Sequence, residues 1–112
     1  MVKLALRIEF DEERAIGPGK ARLLELIQQH RSIAAAGRAM GMSYRRAWLL
    51  VDDLNRRVSS AVVEAAPGGK SGGGATLSPT GHKLVAVYRD IERKALRHTS
   101  AATRTLLKLL AE

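Results

Sequence analysis

The sequence predicts a mainly α-helical fold with one small β-hairpin and a long C-terminal helix. Three observations lead there. Apolar residues recur three and four apart from about residue 20 to 58, and again from 84 to 110. Small residues and a glycine separate the second helical stretch from the third. A loop with five glycines in eight residues, 67–74, lies between two short strand-like runs.

Residues 3–10 alternate, with Leu4, Leu6, Ile8 and Phe10 on one face and Lys3, Ala5, Arg7 and Glu9 on the other. That period of two predicts a half-buried strand. Gly17, Pro18 and Gly19 punctuate the chain. Helical spacing then runs from 20 to 30, with Leu23, Leu24, Ile27 and Leu26 facing inward. Ser32 suits the N-cap of a short second helix over 33–40. Its run Ala34, Ala35, Ala36 and Gly37 lets another backbone approach closely. Gly41 suits a tight turn that needs a positive φ. Ser43 caps a third helix over 44–58, whose buried stripe is Ala47, Leu50, Val51, Leu54 and Val58. Trp48 is assigned to the core as an anchor, and Leu49 to covering a neighbouring helix.

A short helix, a tight turn and a longer helix make a helix-turn-helix. The runs 61–66 and 75–77 flank the glycine loop and predict a β-hairpin wing over about 61–77. Glycine is costly to order, so its density there suits close backbone approach to a phosphate or groove wall. A nucleotide-binding phosphate loop is excluded, because Glu64 stands where that motif needs glycine and no helix follows Ser71. Pro79 opens a last helix that Ser78 or Thr80 caps. Its apolar face is Leu84, Val87, Tyr88, Ile91, Ala95 and Leu96, with a break expected near His98, Thr99 and Ser100. Ala102, Leu106, Leu107, Leu109 and Leu110 follow. That tail holds more leucine than one face of a small domain needs, which points to a partner subunit. Packing on its own core or on the first strand is the alternative. The candidate pairing residues are Leu84, Val87, Tyr88, Ile91, Leu106 and Leu110. The reading is thus a winged helix-turn-helix domain over 1–78 and a C-terminal helical dimerisation segment over 79–112.

Composition narrows the function. The 112 residues make one ordinary domain, and a 46% apolar share excludes a wholly disordered chain. There is no cysteine, and the three histidines are far apart, so neither a disulfide framework nor a metal site is expected. No run of 18 apolar residues occurs and the N-terminus lacks a signal-peptide block, so a cytoplasmic location is expected. Catalysis is not expected: no nucleophile has a histidine partner, no cofactor fingerprint appears, and the adjacent Asp52 and Asp53 point apart. The net charge is +8, and residues 20–83 hold ten Lys/Arg against four Asp/Glu. A basic middle favours a polyanion through counterion release.

The run Met42-Ser43-Tyr44-Arg45-Arg46-Ala47-Trp48, with Asp53-Leu54-Asn55, resembles the recognition helix of the ModE family of molybdate-responsive transcriptional regulators. Residues 68–75 resemble that family's wing, and Leu77-Ser78-Pro79-Thr80-Gly81 its linker into a dimerisation helix. The resemblance implies a DNA-binding N-terminal domain. Members that sense molybdate carry C-terminal β-barrel domains, and nothing here reads as a strand-rich second domain. Molybdate is therefore not expected to bind this chain, and no cofactor is. The initial Met and polar end favour a stand-alone member over a fragment.

For a helix-turn-helix the start of the third helix lies nearest the base edges. The expected partner is double-stranded DNA, bound by a homodimer. The candidate contacts are Ser32, Ser43, Tyr44, Arg45, Arg46, Lys70 and Ser71. Arg45 and Arg46 suit guanine edges or phosphate. Ser32, helped by Arg38, suits phosphate, as do Lys70 and Ser71 on the wing. Arg56 and Arg57 are read as solvated or phosphate-facing. The rival reading is a winged-helix protein-interaction adaptor that does not touch DNA; such domains have a neutral or apolar recognition face.

Overall fold

Eight elements follow in order along residues 2–67 and 74–110, which the computed structural model describes. An antiparallel pair, β1 (Ile8–Glu9) and β2 (Ala15–Ile16), opens the chain. Three helices come next: α1 (Pro18–His30), α2 (Ile33–Ala39) and α3 (Tyr44–Arg57). Then β3 (Val63–Ala66) and β4 (Gly74–Leu77) pair antiparallel as the wing, and α4 (Pro79–Leu109) closes the fold. The mainly helical winged helix-turn-helix read from the sequence is the observed architecture.

Local chemistry sets the helix starts. The Ser32 and Ser43 hydroxyls accept from the Ala35 and Arg46 amides at 3.0 and 3.1 Å, so each satisfies one orphan donor of its helix. Gly41 takes φ +72° in the turn between α2 and α3, a region that costs a residue with a Cβ. At Gly37 an added Cβ would stand 3.0 Å from the Ala47 Cβ, so the two helices cross where both carry small residues. The core lies beneath this crossing. Leu23, Leu24 and Ile27 of α1 meet Ala47, Val51 and Leu54 of α3, and Val62, Val63, Ala75 and Leu77 of the wing base close it.

Two side-chain amides fasten the wing. Asn55 of α3 accepts from the Val62 and Val63 amides at 2.9 and 3.1 Å and donates to the Val63 carbonyl at 3.0 Å. Gln28 of α1 accepts from the Thr76 hydroxyl at 2.7 Å and the Leu77 amide at 3.0 Å. Ser78 caps α4 by accepting from the Gly81 amide at 3.0 Å, and it donates to the Ala61 carbonyl at 2.5 Å. Gly81 lies against the wing so closely that a Cβ there would run into the Val62 carbonyl oxygen.

Five expectations need correction. The strand over 3–10 reduces to Ile8–Glu9, because its partner among the described residues is the two-residue β2. The first helix begins at Pro18 rather than Lys20, with the proline at its first turn. The break near Thr99 is absent, and α4 is continuous. The Thr99 and Ser100 hydroxyls donate back to the Ala95 and Arg97 carbonyls at 2.7 and 3.2 Å, so these residues are satisfied inside a helix. Tyr88, expected on the pairing face, is 2% exposed. It packs against Ile16 and Ala21 and donates to the Leu6 carbonyl at 2.6 Å. Finally, Trp48 and Leu49 are not internal: they are 45% and 47% exposed. The seam of α3 is already filled by Ala47, Val51 and Leu54, and residue 48 sits about 100° round the helix from residue 47.

Candidate nucleic-acid interface

The two ends of α3 differ in how their cations are held. In the last turn, Arg57 lies 2.7 Å from Asp53 and 3.1 Å from Glu13, and Arg56 lies 3.2 Å from Asp52. Carboxylates at Asp53 first, then Glu13, push the Arg57 guanidinium's pKa upward. In the first turn, Arg45 and Arg46 are exposed, and among the described residues neither has an acidic partner. Ion pairs at i,i+4 neutralise the far end of the helix, while the near end presents uncompensated charge.

Arg46 borders a groove that also takes in Arg7, Lys20 and Met42, so the basic strip continues onto the start of α1. Lys20 spends one ammonium hydrogen on the Ala15 carbonyl at 3.1 Å, and Arg7 pairs with Glu9 at 3.0 Å. Tyr44 is 57% exposed at the start of α3. Trp48 borders the crevice between α3 and the wing, with Ile33, Val51 and Val63 on its other walls.

The fold brings Ser43, Tyr44, Arg45 and Arg46 together on one exposed turn. Ser32 is half-buried at the start of α2, and its oxygen is engaged in the cap while its hydroxyl hydrogen is left to donate. Lys70 and Ser71 lie outside the described residues. Of the candidate pairing residues, Val87, Ile91, Leu106 and Leu110 are exposed, Leu84 is partly buried against its own core, and Tyr88 is fully engaged there. Asn55, read from the sequence only as part of the recognition-helix resemblance, and Gln28, given no role there, set the wing against α3 and α1 respectively. Their partners stand from 7 to 49 residues away, so no local pattern marks them.

Helix-turn-helix, fastened hairpin and a capped helix with unpaired arginines define a winged helix-turn-helix chain. No protein-family model matches it. Individual relatives do. The chain is 43% identical to the molybdenum-pterin-binding protein MopB of Rhodobacter capsulatus, over 81% of its own length and 34% of the relative's. It is 40% identical to the molybdenum transport protein ModE of Herbaspirillum seropedicae, over 66% of its own length and 28% of the relative's. It is 31% identical to the DNA-binding transcriptional dual regulator ModE of Escherichia coli K12, over 83% of its own length and 37% of the relative's. The chain is thus similar to the N-terminal region of the ModE regulators and to part of the Mop proteins. It spans about a third of the length of the relatives it matches. By name these relatives are a molybdenum-pterin-binding protein, a molybdenum transport protein and a DNA-binding transcriptional regulator. No described helix is long and apolar enough to cross a membrane.

Proposed function

We propose that this chain binds double-stranded DNA as a homodimer and regulates transcription, with α3 in the major groove and the wing along the backbone. The observation that carries the reading is the pair of unpaired arginines on the exposed first turn of a Ser-capped helix, in a chain of net charge +8. The DNA-binding role of the Escherichia coli relative supports it. Arg45 and Arg46 take guanine edges or phosphates, Ser43 and Tyr44 flank them, and Ser32, Lys70 and Ser71 take phosphates. A purely protein-binding adaptor has no use for those two uncompensated cations.

Pairing uses the exposed strip of α4. Val87 and Ile91 line an apolar groove with Ile8, Ile16 and Phe10, and Phe10 is 65% exposed. Leu106 and Leu110 continue the strip along the far end of the helix. A two-fold pair places two recognition helices about 34 Å apart and selects a near-palindromic site.

The experiment is selection of duplexes from a random pool, followed by affinity measurements with variants. Arg45→Ala shifts the preferred sequence, because it removes a base-edge contact. Lys70→Ala weakens binding to all sequences alike, because it removes a phosphate contact. If neither variant changes affinity or preference, the assigned contact surface is wrong.

A further inference from the structure

We infer that Trp48 and Leu49 read thymine methyl groups on the floor of the major groove. The inference rests on the DNA-binding reading and deepens it by assigning specificity to residues outside the polar set. Three large apolar side chains, Tyr44, Trp48 and Leu49, stand on the outward side of α3. The core does not need them, because Ala47, Val51 and Leu54 fill its seam. Leu49 borders a shallow depression together with Ser43, Arg45 and Arg46. Trp48 stands on the flank facing the wing.

Charge identifies the occupant. Leu49 borders the unpaired Arg45 and Arg46, and Trp48, whose crevice also holds Asp52 and Glu64, follows Arg45 by three residues on the same helix; apolar side chains so placed fit a surface that is anionic yet carries isolated apolar groups. In the major groove that group is the C5-methyl of thymine, set among acceptor oxygens and nitrogens and flanked by phosphates. An indole cannot stack on bases that remain stacked in a duplex, so it meets their edges. The arginines then fix register while Trp48 and Leu49 discriminate thymine from cytosine.

The test removes only the methyl. Duplexes enriched by the wild-type chain are remade with deoxyuridine at each thymine in turn, and affinity is read by fluorescence anisotropy. Wild type loses about fourfold at one or more positions in each half-site, the ratio that about 0.8 kcal/mol per buried carbon group gives. Trp48→Ala or Leu49→Ala brings that ratio to one at its own position. Each side chain is about half exposed, so the variants lose some packing, and far-UV spectra and thermal melts first establish that both remain folded at the assay temperature. Equal affinity of wild type for thymine and deoxyuridine duplexes overturns the inference. So does a full ratio retained by both variants, the outcome expected if this ridge serves a protein partner. Failure to enrich any duplex sinks the DNA reading itself, whereas enrichment without methyl sensitivity sinks only the role of Trp48 and Leu49.

Discussion

From Pro79 to Glu92, α4 is tied to other elements of its own chain; from Arg93 to Leu109, among the described residues, it is not. The near end carries the close approach of Gly81 to Val62 and the buried Tyr88. It also carries Arg89, which lies 2.8 Å from Glu25 of α1 and 2.6 Å from Glu92. Those two carboxylates, Glu25 foremost, raise the Arg89 pKa. The far end shows Leu96, Leu106, Leu107, Leu109 and Leu110 to solvent. At about 1.5 Å per residue its 17 helical residues beyond Glu92 extend about 25 Å without support from the body. One helix therefore answers to two constraints: its own core at the start and, on the proposal above, a second copy at the end. Apolar periodicity is the same in both halves. What separates them is polar partners on other elements, which among the described residues only the near half has.

Substitutions at the two ends should part accordingly. Gly81→Ala has the largest expected effect. Its obstacle is a backbone carbonyl, which cannot rotate away, so the fold loses about 3 kcal/mol. A thermal melt should fall by on the order of 10–20 °C. An unchanged melting temperature would mean that the near end is not held as described.

The far end should respond in assembly. Replacing Leu106 and Leu107 together by Ser weakens pairing by about 2–3 kcal/mol, roughly thirty- to a hundred-and-fiftyfold in dissociation constant. Sedimentation equilibrium reads this directly. If the pair associates as before, pairing does not use the end of α4.

Tyr88→Phe should cost about 1 kcal/mol, the usual value of one lost hydrogen bond. It leaves the Leu6 carbonyl unpartnered and frees the N-terminal segment. Amide exchange at Ile8 and Ile16 should quicken, while association stays as in wild type. A change in association instead would return Tyr88 to the pairing face.

The smallest effect concerns the turn that leads into β2. Asp11 accepts from the Glu13 and Arg14 amides at 2.9 and 2.7 Å and from the Arg14 guanidinium at 2.7 Å. The Arg14 side chain first, then those amides, lower its pKa from 3.8 to about 2. The folded value is depressed, so the carboxylate supports the turn above the ordinary value. That support fades as pH falls from 3.8 through about 2. A carboxyl NMR titration should give a midpoint near 2; a midpoint of 3.8 would show the turn open.

Much of this fold was legible because its signals are local. Ser32 and Ser43 mark helix starts, Gly41 marks the turn, and the glycine run marks the wing. Signals that depend on distant partners were not. Nothing near Asn55 or Gln28 in sequence announces that they clamp the wing. The short β2 hides behind the polar run Asp11-Glu12-Glu13-Arg14. Tyr88 falls on the same apolar stripe as Val87 and Ile91, and periodicity does not say which chain covers it. Trp48 misleads in the other direction, because a tryptophan is more often buried than not. In this helix the stripe through Ala47, Val51 and Leu54 leaves it no room. The candidate contact residues of α3 were legible from the cap and the arginines, while the apolar ridge beside them emerged only from the structure.

On the proposed function, the start of α3 and the wing neutralise DNA phosphates. The most direct test is the affinity of the wild-type chain for a selected duplex across a range of salt concentrations. With about six phosphate contacts per dimer, log K should fall against log salt with a slope near about −5. An affinity that is flat in salt would contradict the claim.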